Sequence, residues 1–129
     1  MITAFLLGRV IVGLYFLEGA YGHLVKPAGL IGYASSKGVK SPKLAVIGTG
    51  ILMALGGLSI LLGVRPHYGL ALLIIILLGT SFKMHAYWKE TDPMAKMGDR
   101  INFTKNMALI GALLMMFAIA SPWVYALNW

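Results

Sequence analysis

The sequence predicts an all-α integral membrane protein, a four-helix bundle that forms a single membrane domain over residues 1–129. Hydrophobic residues make up 59% of the chain and charged residues only 12%, whereas a soluble domain carries about 25% charged residues. With so few charges the chain cannot cover a water-exposed surface, so lipid is the predicted solvent. Four apolar segments of about 20 residues, the length that crosses a bilayer, predict spans at residues 2–24, 44–64, 68–88 and 103–126.

The first span carries polar groups near its end, because Glu18, Tyr21 and His23 follow a long apolar run. Charged groups inside a membrane are costly and usually face a bundle interior or a polar cavity. Glu18 is therefore the first candidate for chemistry within the bilayer. It also interrupts the apolar core that a signal peptide needs, so the segment is interpreted as a retained span. Arg9 is expected to snorkel toward the side of the termini.

The first loop, residues 25–43, is predicted to contain a short helix on the membrane surface. Pro27 suits the first turn of such a helix, and the apolar residues that follow it suit the interface. Ser41 and Pro42 then predict an N-cap and a first-turn proline, which together begin the second span.

Small residues mark one face of the second span. Gly50 and Ala54 are four residues apart, and Gly57 follows one turn later. Such spacing lets the backbone of a neighbouring membrane helix come close. We therefore expect these three residues at helix contacts.

A tight turn at Arg65-Pro66 is predicted to join the second and third spans, and His67 is expected to face water or lipid headgroups there. The third span becomes polar toward its end, near His85. Trp88 lies where an aromatic belt at the membrane interface is expected.

The fourth span is expected to begin with Asn102 as its cap and to carry Asn106 in its first turns. Its end, with Trp123 and Trp129, predicts a second aromatic belt.

The basic residues predict orientation and partners. Loops one and three lie on the same side of the bundle, and Arg65 alone lies in the opposite loop. The positive-inside rule therefore places both loops in the cytoplasm of a bacterial or archaeal cell. Basic residues in loops between apolar segments attract anionic headgroups, so a lipid bilayer rather than nucleic acid is the expected partner despite the net charge of +7. The loop residues are Lys26, Lys37, Lys40, Lys43, Lys89, Lys96 and Arg100.

One leaflet is expected to hold the polar residues, since spans one and three end on the side where spans two and four begin. Glu18 and His85 are the candidate catalytic residues of a shared polar site, because histidine and carboxylate side chains suit proton transfer. For Asn106 a purely structural hydrogen bond is an equal alternative, and for His23 snorkelling to the headgroups is the simpler interpretation. The candidate cofactor-binding residues are Tyr15, Tyr21, His23, Trp88 and Asn106.

No metal site is predicted. The chain has no cysteine, which excludes disulfides, Cys-ligated zinc and Cys-ligated iron–sulfur clusters. Haem ligation by His23 and His85 is geometrically allowed but has little support from the sequence.

Several short motifs, taken in order, resemble the DoxX family of small four-span membrane proteins. They are Leu7-Gly8-Arg9, Phe16-Leu17-Glu18-Gly19, Lys26-Pro27-Ala28-Gly29, Gly38-Val39, Leu55-Gly56-Gly57-Leu58, Leu62-Gly63, His85 and the run from Asn102 to Gly111. The resemblance implies a four-helix bundle. It also implies functions such as a subunit of a thiosulfate:quinone oxidoreductase or a partner of oxidative-stress enzymes.

The chain departs from the family pattern at two positions. Many members have a glutamate where this chain has Met53, and many have a lysine near the position of His23. Glu18 is the candidate to replace the missing acid.

Two functions follow as expectations. The first is a quinone-linked redox accessory subunit, in which Glu18 and His85 handle protons and Tyr15, Tyr21 or Trp88 stacks on the quinone ring. It requires a redox protein partner. The alternative is a non-enzymatic membrane module that binds a lipid, a small apolar ligand or a partner protein. A homo-oligomer fits either function, and whether the chain is an enzyme is left open.

Overall fold

The computed structural model describes residues 1–127, and this part of the chain contains helices and no strand. The predicted all-α class is therefore confirmed, and the short helix expected in the first loop is present as α2. Trp129, which was predicted to belong to an aromatic belt, lies outside the described residues. The five helices are α1 (Ile2–Val25), α2 (Ala28–Ser36), α3 (Pro42–Leu62), α4 (Pro66–Met84) and α5 (Pro93–Phe117), with a 3-10 turn at Tyr87–Lys89.

Prolines set the starts of three long helices. Pro42 begins α3, as the sequence predicts, and Pro66, which was predicted to lie in the turn between the second and third spans, begins α4. The prediction for the last helix is wrong in position, because α5 begins at Pro93 instead of Phe103 and Asn102 lies inside it. Asp92 is the actual N-cap, and its side chain accepts a hydrogen bond of 2.8 Å from the backbone N–H of Ala95. A capping aspartate followed by a first-turn proline is a strong helix start.

Three segments among residues 1–127 have the length and hydropathy of a membrane span, namely Ile2–Val25, Pro42–Leu62 and Pro66–Lys89. The fourth long helix, α5, carries its polar residues in its first half and its apolar residues in its second half. Helix α5 ends at Phe117, before the predicted end of the span at Ala126, and the chain continues without helix.

Neighbouring long helices in the sequence are also neighbours in space. Helix α1 packs against α3, α3 against α4, and α4 against α5, while α2 packs on α3. The core of the bundle is apolar and joins all four long helices. Its most deeply buried side chains are Phe16, Ile60, Leu70, Leu73 and Leu113.

Two glycines bring α1 and α3 together, as the small-residue pattern predicts. A Cβ atom at Gly57 would lie 3.1 Å from the carbonyl oxygen of Gly13 and 3.2 Å from Leu17, and one at Gly13 would lie 2.8 Å from Leu61. Gly50 also faces α1, at His23 and Leu24.

The chain after α5 folds over the end of the bundle where α1 begins. Arg9 is buried, and its guanidinium donates hydrogen bonds to the carbonyl oxygens of Val124 at 2.8 Å and Tyr125 at 3.2 Å. Arg9 thus reaches the side of the termini, as expected, but protein rather than water surrounds it. Trp123 packs edge-on against Phe5 of α1.

His67 is bound to the same segment and is not simply solvated, which corrects the sequence-based expectation. Its Nε2 lies 3.1 Å from the carbonyl oxygen of Phe117, and its Nδ1 lies 3.1 Å from the hydroxyl of Ser121. Nε2 must be the donor to the carbonyl, so Nδ1 accepts from the serine in a neutral ring. The segment after α5 is therefore held from α1 and from α4.

Candidate functional site

A cavity of about 300 Å³ lies at the other end of the bundle, between α2, α3 and the end of α4. Most of its walls are apolar side chains of these three helices. A few polar side chains interrupt them: His23, Tyr33, Thr49, Thr80 and Lys83. Pockets that bind small molecules combine apolar walls with a few polar groups in this way. The cavity suits a molecule with an apolar body and a hydrogen-bonding head.

His23 of α1 also lines this cavity. Its Nδ1 lies 2.8 Å from the carbonyl oxygen of Gly19 and must donate to it. Its Nε2 has no hydrogen-bond partner among residues 1–127. In the neutral ring that nitrogen is an acceptor. Thr80 is less available, because its hydroxyl already bonds to carbonyl oxygens of its own helix, at Ile76 and Leu77.

The end of α2 is fixed by a glycine. Gly38 has a φ of 73°, the left-handed conformation that ends many helices. The N–H of Gly38 bonds to the carbonyl of Ser35, and the N–H of Val39 bonds back to the carbonyl of Ala34. This pair of bonds is a Schellman motif, which also brings the C″ and C3 side chains together. It therefore positions Val39 and Ala34 in the cavity wall and Lys37 just beyond the helix.

An ionic cluster lies beside the cavity and consists of Tyr33, Lys37, His85, Glu90 and Asp99. The Nζ of Lys37 lies 2.5 Å from Oδ2 of Asp99 and 2.6 Å from Oε1 of Glu90. The Tyr33 hydroxyl donates to Oδ1 of Asp99 at 2.8 Å, and Nδ1 of His85 lies 3.3 Å from the same oxygen. Asp99 is the centre of the cluster, with a side chain only 5% exposed.

The cluster has defined protonation states. Burial, followed by the hydrogen bond to Asp99, raises the pKa of Tyr33 to about 12. Burial alone would lower the pKa of Lys37, but its hydrogen bonds to Asp99 and Glu90 raise it overall. Burial alone would raise the pKa of Asp99, but hydrogen bonds from Lys37, Tyr33 and His85 hold that pKa below its usual range. At neutral pH the cluster therefore contains a neutral tyrosine, an ammonium and a carboxylate.

Tyr33 connects the cluster with the cavity. Its side chain lines the cavity, while its hydroxyl binds Asp99 and lies 3.4 Å from Nδ1 of His85. A hydrogen-bonding ligand in the cavity therefore lies next to a residue that is already connected to a carboxylate and an imidazole. That arrangement places the polar head of a ligand beside a tyrosine, a carboxylate and an imidazole that lie within 3.4 Å of one another.

The two candidate catalytic residues are not brought together by the structure. His85 belongs to the ionic cluster, but Glu18 is exposed on α1 and has no hydrogen bond or ion pair among residues 1–127. Tyr15 and Tyr21 are exposed on the same face of α1. The carboxylate that contacts His85 is Asp99.

The remaining candidates lie at three places. His23 lines the cavity. Trp88 is half-exposed and packs edge-on against Phe103 within an aromatic cluster at the end of α4. Asn106 is buried and donates a hydrogen bond of 3.1 Å to the hydroxyl of Ser81, so it joins α5 to α4. That contact agrees with the structural alternative for Asn106.

Sequence reasoning missed Tyr33, Lys37, Glu90 and Asp99 as members of a site. One signal was available, since Asp92-Pro93 is the same start pattern as Ser41-Pro42. This pattern predicts a helix that starts at Pro93, and Asp99 would then lie in that helix instead of in a loop. Nothing in the sequence indicated that α2 would bring Lys37 to that helix.

These features define a polytopic α-helical membrane protein with an apolar cavity and an ionic cluster at one end of its bundle. The family model described as DoxX matches residues 4–86, so the chain belongs to the DoxX family. The matched residues extend from α1 to the end of α4 and include Tyr33, Lys37 and His85, while Glu90 and Asp99 follow them. Neither a curated protein nor a solved structure was found to match the chain.

Proposed function

We propose that this protein is a quinone-linked accessory subunit of a membrane redox complex, and that the cavity beside α2 holds the quinone head. The observation that carries the proposal is that Tyr33 makes two contacts. Its side chain lines the cavity, and its hydroxyl donates a hydrogen bond of 2.8 Å to Asp99. A quinone carries electrons and takes up protons at its two ring oxygens. The electrons would come from a redox protein partner.

The cavity fits a quinone head in chemistry and in size. Its volume of about 300 Å³ lies at the lower end of ligand pockets, which range from about 300 to 1,000 Å³. Lys83 would supply a hydrogen-bond donor for a ring oxygen, since the single O–H of Tyr33 is donated to Asp99, and the apolar walls would pack against the ring. The residues thus support a small head in the cavity with an apolar tail that extends into lipid.

The ionic cluster would supply the proton path. Tyr33 and His85 both contact Oδ1 of Asp99, so a proton lost by the tyrosine can be replaced through Asp99 from His85. His85 would complete the path, because an imidazole ring has one nitrogen that can donate a proton and one that can accept it. The proposal therefore assigns to Asp99 the part that the sequence suggested for Glu18.

The experiment is a quinone-binding measurement with a matched pair of glycine variants. Gly79 lines the cavity and Gly111 does not, and a Cβ atom meets nothing within 4 Å at either position. Mass spectrometry of solvent extracts would identify quinone that co-purifies, and titration with a short-tailed quinone would give a Kd. We expect Gly79→Leu to weaken binding at least tenfold, since added carbons compete for the cavity, and Gly111→Leu to leave it unchanged.

A variant series tests the proton path separately. Tyr33→Phe and Asp99→Asn should alter the pH dependence of quinone reduction by a chemical reductant, while Glu18→Gln should not. Equal quinone affinity in the Gly79→Leu and Gly111→Leu variants would contradict the placement of the quinone. If Glu18→Gln changed the pH dependence of quinone reduction as much as Asp99→Asn does, Glu18 would be assigned a part in proton transfer.

The second candidate is a non-enzymatic module that binds a partner protein, and the exposed face of α1 favours it. Glu18, Tyr15 and Tyr21 are exposed there, although the Tyr15 ring packs edge-on against Phe16 and the Lys26 ammonium lies 5.8 Å from the centre of the Tyr21 ring. A carboxylate that faces lipid is unfavourable, so a partner helix with a basic or hydroxyl group would stabilise it. Photo-crosslinking from position 15 distinguishes the two functions. A redox protein as the captured partner favours the quinone-linked subunit, whereas a partner without redox activity favours the non-enzymatic module.

A further inference from the structure

A second cavity, of about 240 Å³, lies between the end of α2, the last turn of α4 and the 3-10 turn. Three lysines line it, Lys37, Lys83 and Lys89, together with one carboxylate, Glu90. We call it the lysine pocket. Its formal charge is positive even when Asp99, which binds Lys37, is counted, because three ammonium groups then stand against two carboxylates.

The carboxylate does not neutralise the pocket. Glu90 binds Lys37, which also binds Asp99. Lys83 and Lys89 are exposed and form no ion pair among residues 1–127. Two cationic side chains thus remain without a counter-charge within the described chain. Lys37 adds a third donor, since an ammonium has three N–H groups and its two carboxylate contacts use two of them.

Part of the lining of the lysine pocket is apolar. Phe82 lines it, and the Phe82 ring packs edge-on against Phe103 and lies 6.0 Å from the ring of Trp88. Half-exposed aromatic rings at the end of a span are typical of the membrane interface. The pocket therefore combines cationic side chains with a ring that belongs to an interfacial aromatic cluster.

We propose that the lysine pocket binds a phosphate group, supplied by the headgroup of an anionic lipid or by free phosphate. Ammonium groups bind phosphate as point charges, and basic pockets at the ends of spans bind anionic headgroups. The donors are the lysines. Ser36, which also lines the pocket, already donates its hydroxyl to the carbonyl of Tyr33 at 2.6 Å.

The lysine pocket can be tested apart from the quinone cavity. Lys83 lines both, but Lys89 lines only the lysine pocket. Lys89→Gln should therefore weaken phosphate binding and leave quinone affinity unchanged. Failure of the quinone proposal would not affect this result.

The experiment is native mass spectrometry of the purified protein with added phosphatidylglycerol or phosphatidylcholine, together with calorimetric titration of inorganic phosphate. The pocket variants are Lys89→Gln and Lys83→Gln/Lys89→Gln. The matched controls are Lys96→Gln and Lys40→Gln/Lys96→Gln, which remove the same charge at exposed positions outside the pocket. We expect losses of about fivefold for the single and roughly thirtyfold for the double pocket variant.

The outcomes separate the two sources of phosphate. Preference for phosphatidylglycerol that is lost only in the pocket variants assigns a lipid headgroup. Binding of inorganic phosphate that is lost in the same way, without lipid preference, assigns free phosphate. Equal losses in pocket and control variants would indicate attraction to the whole basic surface and overturn the proposal, as would no binding of either probe.

Discussion

Lys37 and Asp99, which are 62 residues apart in the sequence, form an ion pair with Nζ 2.5 Å from Oδ2. The pair joins the end of α2 to the early turns of α5. Because Tyr33 of α2 binds the same carboxylate, two contacts fix the short helix in place beside the cavity. Asp99 thus helps to position α2, and with it one wall of the cavity, in addition to the packing of α2 on α3 and the ion pair of Lys37 with Glu90.

Asp99→Asn should destabilise the fold by about 1–3 kcal/mol, because it leaves Lys37 with a weaker partner in a nearly buried position. Glu90→Gln is the matched control and should cost less, since Glu90 is 28% exposed where Asp99 is 5% exposed. The free energy of unfolding can be measured by titration with a denaturing detergent. A larger loss for Glu90→Gln would mean that Asp99 is not the centre of the cluster.

Stability should fall in acid through Asp99. Its pKa is lowered in the folded state, so its contribution is present above the unfolded pKa of about 3.9 and is lost as pH falls through the folded pKa. Lys37 has a raised pKa, so its contribution persists below its unfolded pKa and is lost only in strong alkali. The stability difference between the wild type and Asp99→Asn should therefore shrink below about pH 4. A difference that stays constant down to pH 2 would contradict this assignment.

Gly57→Leu should reduce the yield of folded protein, because the new side chain meets the backbone of Gly13 across the α1–α3 contact. Gly48→Leu is the control on the same helix, since nothing lies within 4 Å of a Cβ atom there. Backbone neighbours yield less easily than flexible side chains, and overpacking of a tight contact costs about 1–3 kcal/mol. Thermal unfolding in detergent compares the two variants, and equal melting temperatures would place Gly57 against lipid.

The basic loops predict that the ionic cluster lies on the cytoplasmic side. The chain has no cysteine, so single cysteines introduced at Lys40, Lys96 and Tyr125 report their own exposure. We expect an impermeant maleimide added to intact cells to label position 125 and to leave positions 40 and 96 unlabelled. The reverse pattern would invert the orientation and place the cluster outside.

The starts of α3 and α4 were predictable from local signals, because Ser41-Pro42 and Arg65-Pro66 act within a few residues. The glycine contacts at Gly50 and Gly57 were also predictable, since close packing in a membrane requires small residues at regular spacing.

The candidate site was less predictable, because it depends on how α2 folds back. The contact between Lys37 and Asp99 needs a glycine-ended helix to approach an early turn of α5. The sequence analysis chose Glu18 as a site residue because a carboxylate within an apolar run costs free energy in a membrane. That cost does not determine which way the side chain points. The start of a helix can be predicted from the local sequence, whereas the rotation of the helix about its own axis is set by packing against its neighbours.

The buried Arg9 has a consequence for how the protein is made. Val124 and Tyr125, whose carbonyl oxygens bind its guanidinium, follow it by 115 and 116 residues. While α1 enters the membrane during synthesis, those partners do not yet exist, so water, headgroups or a membrane chaperone must solvate the guanidinium. Assembly of this end of the bundle therefore waits for translation to pass Tyr125, and a ribosome that stalls before that point leaves a polar group exposed for quality-control proteases to recognise.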